Sequence, residues 1–264
     1  MSALPQASNR IALLATQGYS TAAILRALAT ELPEARIFVF HENKQSRGQL
    51  VRRRVKKLGL LRVLGQLAFL GSLQPVLARA ARRRKQVLRS QIEAAYPVVP
   101  NVEVLRVDSV NNAATRSALR ELEPDVVVVS GTRIISTATL RSVTAPFINM
   151  HAGITPAYRG AHGGYWALAE GRRDLVGTTI HFVDAGIDTG DNIEQVYFTP
   201  TSADNFATYP LLHLQAGLPA LVRAVRASLA GELATQPPRN LSSMLRYHPT
   251  LWTYVWCRMK QGVR

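Results

Sequence analysis

The chain has 264 residues, 47% of them hydrophobic, with one cysteine and a formal net charge of +15. That length and apolar content suit one large folded unit and exclude a disordered chain; the single Cys257 excludes an internal disulfide framework and a multi-cysteine metal site, and points to a reduced, cytosolic setting. The charge first suggests nucleic acid or an anionic membrane, yet it is local: 14 of the 32 basic residues lie between Lys44 and Arg89 with no acidic residue among them, leaving 18 basic against 17 acidic elsewhere.

The N-terminal MSALPQASNR has no apolar leader core, so secretion is not expected. Arg10 to Thr16 is an apolar run of the kind found in buried parallel strands. Gly18-Tyr19-Ser20-Thr21 follows and opens a helical pattern, giving a helix start that would hold an anion, or else an ordinary capped turn. Arg36 to Phe40 reads as the second strand.

Residues 44 to 92 read as two helical pieces broken near Gly71 or Pro75. Val63 to Ala78 is charge-free but short and interrupted for a transmembrane span. Three readings stay open: a helical insertion packed on the body with a solvated basic face, an interfacial helix on anionic lipid, and RNA binding. RNA comes last because Phe69 is the only aromatic residue there to stack on a base.

Asn101 to Val107, Asp125 to Ser130 and Pro146 to Asn149 continue the strands, with helices at Asn112 to Leu122 and after Ser136. Alternating strands and helices predict a mostly parallel, doubly wound α/β sheet, whose ligands bind at the carboxyl ends of strands. Asn192 to Phe198 is read as antiparallel to its neighbour, and Asn205 to Leu229 as a long helix. We divide the chain into a body of residues 1 to 236 carrying the basic insertion (about 44 to 92) and a short aromatic tail, 237 to 264, read as a clasp.

The chemistry concentrates between Phe147 and Glu194. Asn149 and His151 alternate on a strand and so share a face. The acid- and glycine-rich loop Asp184 to Asp191 would bring Asp188 to that face. Each has a plain structural alternative: a cap for Asn149, a buried structural histidine for His151, a turn acid for Asp188. Together, an amide, a titratable base and a carboxylate suit acyl transfer at a carbonyl: the amide and the imidazolium donate to a developing oxyanion, and the carboxylate supports the imidazole. No metal set is expected, since His151 and His162 fall on different elements and His181 lies inside a strand pattern.

The stretch from about Pro124 to Gln195 resembles the folate-dependent formyltransferase family, which includes the glycinamide ribonucleotide, methionyl-tRNA and sugar N-formyltransferases. The resemblance rests on Asn149, His151 and Ala152; on Thr155-Pro156-Ala157-Tyr158-Arg159-Gly160; and on Gly177, Thr178, His181, Asp188 and Gly190. It implies a Rossmann-like fold, a catalytic set of Asn149, His151 and Asp188, and 10-formyltetrahydrofolate as the formyl donor. It implies a donor pocket of Arg133, Ile134 and Ile135 with Val183, Asp184, Ala185, Gly186 and Ile187.

For the acceptor, Gly18, Tyr19, Ser20 and Thr21 resemble the phosphate-holding start of the glycinamide ribonucleotide enzymes. The acidic residue those enzymes carry late in the chain is missing from Leu214-Gln215-Ala216-Gly217-Leu218-Pro219. The tail is shorter than the C-terminal domain of the tRNA enzymes, and the basic insertion fits none of these patterns. The expectation is a cytoplasmic formyltransferase acting on a primary amine of a small acceptor, an amino sugar or nucleotide sugar first, with glycinamide ribonucleotide as the alternative. A homodimer and peripheral seating on the inner membrane face through residues 44 to 92 are open. A reading of another class is a non-catalytic binding protein tethered to membrane or RNA.

Overall fold

The computed structural model describes residues 9–237 and 239–264; the expectation drawn from residues 1–8 lies outside them, as does Pro238 of the tail's Pro-Pro start. The apolar runs become strands in sequence order: β1 (Arg10–Ala15), β2 (Arg36–Glu42), β3 (Glu103–Val107), β4 (Val126–Ser130), β5 (Phe147–His151), β6 (Arg159–Gly160), β7 (Gly177–Phe182), β8 (Asn192–Tyr197) and β9 (Leu245–Arg246). Seven form one sheet in the order β3-β2-β1-β4-β5-β7-β8. The first five are mutually parallel, and β7 and β8 are antiparallel to their neighbours. This is the doubly wound α/β sheet that the alternating pattern predicts. Strand order reverses between β1 and β4, which opens a crevice beyond their carboxyl ends.

Central strands read as continuous apolar runs because both faces are covered. Ile11, Leu13, Val126 and Val128 join the core on one face, while Ala12, Leu14, Val127 and Val129 join the one on the other. Helix Tyr209–Leu229 lies on the first face, burying Leu214, Leu218, Leu221 and Val225. It starts at Tyr209 rather than Asn205, because Asn205 to Thr208 form a turn closed by the Asn205 amide on Thr208 Oγ1.

The basic insertion breaks elsewhere than expected. Helices Arg47–Leu58 and Arg82–Ala95 flank an unbroken helix, Leu60–Ala80. The first break falls at Gly59, whose φ of +82° suits glycine, and the second at Ala81. Gly71 and Pro75 do not interrupt the helix: a π turn at Phe69–Leu73 opens the ladder just where the proline removes an amide and crowds the preceding turn. At 21 residues this helix is also longer and more continuous than the sequence suggests. Arg84 ties the insertion to the body through an ion pair with the buried Asp204, 2.9 Å.

The tail closes over both parts. β9 pairs with β6, and Tyr254 of helix Leu251–Gln261 packs on Phe69 and Tyr165 with ring centroids 5.0 and 5.7 Å apart. Gln66 donates to the His248 carbonyl at 2.8 Å, and His248 Nδ1 meets His162 Nε2 at 2.8 Å. Burial, then the neighbouring His248, holds the pKa of His162 down at about 3. Burial likewise holds His213 at about 3 and His248 at about 4.

A histidine depressed in the folded state takes up its proton only on unfolding, so the contribution is whole above the free value of 6.5 and is lost as pH falls below it. Stability measured by urea unfolding is therefore expected to fall from pH 7 towards pH 4. The slope should approach about 1.4 kcal/mol per pH unit for each of His162, His213 and His248. A flat profile between pH 7 and 5 would mean these histidines are not buried as neutral groups.

Candidate active site

The crevice at the strand-order reversal holds two adjoining cavities. The first, of about 310 Å³, is walled by Val129, Gly131 to Ile135, Asn149 to Ala152, His181, Val183, Asp184 and Gly186 to Asp188. The second, of about 240 Å³, is lined by Thr16, Gly18, Ser20, Thr21, Ser130, Thr178, Pro210, His213 and Leu214. They share Gly131, Met150 and Ala152, so His151 stands where they meet.

Strand alternation puts Asn149 and His151 on the first cavity, and the 184–191 loop returns Asp188 to the same place. His151 is 5% exposed. Its Nε2 donates to the Tyr158 carbonyl at 2.7 Å, and its Nδ1 lies 3.3 Å from Asp188 Oδ2. That same oxygen accepts the Gly160 amide at 2.8 Å. Asp188 takes a left-handed φ of +51°, uncommon for a residue with a Cβ, and the backbone holds it there. Its loop is braced by Asp184, which accepts from Thr189 Oγ1 at 2.7 Å and from the Gly186 amide at 3.0 Å.

Burial presses the His151 pKa below the ordinary imidazole value, while Asp188 and the Tyr158 carbonyl pull it back up. Burial alone would raise Asp188, but His181, His151 and the Gly160 amide outweigh it and hold the carboxyl below its usual range. The pair thus sets a readily released proton on the imidazole beside a firmly ionised acid.

His181 is the residue that sequence reasoning passes over. It sits directly across the antiparallel β5–β7 ladder from Asn149. Its Nδ1 donates to the Phe182 carbonyl at 2.7 Å, so its Nε2 is the acceptor that receives Asn149 Nδ2 at 3.1 Å. This fixes which way the Asn149 amide faces. A histidine within a strand two residues after Thr179 gives no hint of that role by itself.

The remaining expected residues divide. Ile134, Ile135, Val183, Asp184, Gly186 and Ile187 line the first cavity, whereas Ala185 is not among its walls. Arg133 lines it too, but its guanidinium pairs with the buried Glu42 at 2.6 Å and bonds the Asp108 carbonyl, so it braces the loop. Gly18, Ser20 and Thr21 line the second cavity. Tyr19 does not: its hydroxyl contacts Glu93 and the Arg89 carbonyl, and Arg89 lies over its ring, because the side chain at a helix's first position points back onto the neighbouring basic helix. No group of three or more His, Cys, Asp or Glu placed to hold a metal occurs among the described residues.

Asp188→Asn should lower the His151 pKa further, since it removes the main influence opposing burial. Histidine NMR titration would show this as an imidazole that stays neutral to lower pH. An unchanged titration would deny the coupling.

The family model for formyl transferase matches residues 9–209. The methionyl-tRNA formyltransferase of Anaeromyxobacter sp. (strain K) is 35% identical over 151 residues, 57% of this chain and 48% of the relative; the chain therefore spans about half the length of such relatives. A sugar N-formyltransferase from Shewanella sp FDAARGOS_354 superposes with a TM-score of 0.56 at 12% identity, over 90% of this chain and 76% of that one. Glycinamide ribonucleotide transformylase 1 from Symbiobacterium toebii gives 0.58 at 19%, over 90% and 94%. At these identities the two structures show a shared fold.

Proposed function

The chain belongs to the formyl transferase family, and from that premise we propose that it moves a formyl group from 10-formyltetrahydrofolate to a primary amine of a small acceptor in the cytoplasm. One observation carries the reading: Asn149, His151 and Asp188 converge on one cavity that opens onto a second. The first cavity suits a flat heterocyclic donor. It is of small-molecule size, its apolar walls come from Val129, Ile134, Ile135, Val183 and Ile187, and its loops are pinned by Glu42 and Asp184. When bound, the donor supplies a formyl group on a nitrogen that must leave with a proton.

The residues then divide the work. The Asn149 amide donates to the formyl oxygen as negative charge gathers there, its orientation set by His181. His151 delivers the proton to the leaving nitrogen, and burial favours its release. Asp188 stays ionised and holds the ring. We assign this chemistry to residues 1 to 236, with the 237–264 tail bracing it. The same reading gives residues 44 to 92 an anionic membrane surface on the cytoplasmic side as their partner.

The second cavity supports an amino sugar or nucleotide sugar as acceptor. Thr16, Ser20, Thr21, Ser130 and Thr178 present hydroxyls to it, and no charged side chain lines it. That lining matches a neutral, hydroxyl-rich ligand. A second reading, glycinamide ribonucleotide, draws on the helix start at Gly18 to Thr21, whose amides would hold a phosphate.

Tetrahydrofolate release should be followed with amino sugars, nucleotide amino sugars, glycinamide ribonucleotide and methionyl-tRNA as acceptors. Turnover is expected with a sugar amine, and turnover with glycinamide ribonucleotide alone would overturn that choice. His151→Ala, Asp188→Asn and Asn149→Asp should each lower kcat by about 10² or more with the fold retained. Turnover like that of the parent protein in His151→Ala or Asp188→Asn would refute the mechanism.

A further inference from the structure

We propose that helices Leu60–Ala80 and Leu251–Gln261 together form a face that seats the protein on an anionic lipid bilayer. The sequence suggests only the first helix; the structure adds the second. Trp252, Val255, Trp256 and Met259 recur at the spacing that shares one helical face, and all four are exposed, Trp256 at 60% and Met259 at 72%. On the other helix Leu60, Leu61, Leu64 and Leu67 make a second exposed stripe, Leu61 reaching 78%. The two stripes meet. The Trp252 ring lies on Gly65, so closely that a Cβ there would stand 2.2 Å from its ring.

The opposite side of the Leu60–Ala80 helix is fixed to the body by Val63, Phe69 and Leu77, all buried. The helix is apolar and long enough to cross a membrane, but this anchoring makes it lie along a surface instead. Leucine and tryptophan side chains projecting from such a helix enter the interfacial layer of a bilayer.

Charge selects the occupant. Residues 44 to 92 carry fourteen basic residues and no acid, and the clusters lie at both ends of the apolar stripe: Arg52, Arg53, Lys56 and Lys57 before it, Arg82 and Arg83 after it, all exposed. Arg258 and Lys260 extend the cationic rim from the tail. A second copy of this chain on the same face would set these clusters against one another across a twofold axis. An anionic bilayer neutralises them and buries the leucines and tryptophans in one step.

The test is flotation of the full chain with vesicles of roughly one-third anionic lipid, and with neutral vesicles, at about 0.1 M salt. We expect binding to the anionic vesicles at least tenfold tighter than to neutral ones, with a blue shift in tryptophan emission. Leu61→Gln/Leu64→Gln and Trp256→Ala should each weaken binding about tenfold, and circular dichroism should report unchanged folding. Absence of binding to anionic vesicles overturns the proposal. So does equal binding by the variants, which would reduce the contact to charge alone, and so does a dimer that the same substitutions dissolve. Turnover with a soluble acceptor is read separately: vesicle binding without turnover overturns the proposed reaction only, and turnover without binding overturns this face only.

Discussion

The site depends on one carboxylate. Asp188 is reached from three directions: the imidazole of His151 at the end of β5, the Gly160 amide in β6, and its own loop, which Asp184 ties shut. Holding a residue with a Cβ at a left-handed φ costs energy that the surroundings must offset. The bonds that offset it are the ones that aim the carboxylate. Gly160 in turn pairs with Arg246 of the tail strand, so the last part of the chain bears on the acid through a single backbone step.

Topology supplies the other half of the arrangement. β1 leads outward to β2 and β3 on one side, and β4 and β5 continue on the other, so the loops after β1 and β4 separate and leave a crevice. One cavity forms beside the loop after β4, the other beside the loop after β1, with the end of β5 between them. A donor and an acceptor can then approach His151 from different sides without competing for the same walls.

Much of this was legible from residue pattern, and the reason is local. Apolar runs such as Val126 to Val129 announce buried strands, and Asn149 and His151 two apart in a strand must face one way. What stayed hidden depends on pairing between distant segments. Nothing near His181 shows that an antiparallel register sets it opposite Asn149, and nothing near Arg133 shows that Glu42, 91 residues earlier, claims its guanidinium. Tyr19 was misplaced for a similar reason: its partner helix lies some 70 residues away in sequence. The helix breaks were misread because Gly71 and Pro75 are strong punctuation on paper, yet a widened turn absorbs them while Gly59 takes the left-handed bend.

That widened turn carries a consequence for how the basic helix can change length. A π turn is, in effect, one extra residue lodged in an α-helix, and each residue advances the helix by about 100°. Deleting one residue between Phe69 and Leu73 would leave a longer regular helix but rotate everything beyond it by more than a quarter turn. Leu77 would swing out of the core and Val76, now 61% exposed, would shift with it. The segment therefore acts as a phase correction: it lets the leucines before it face outward while Leu77 after it still reaches the body.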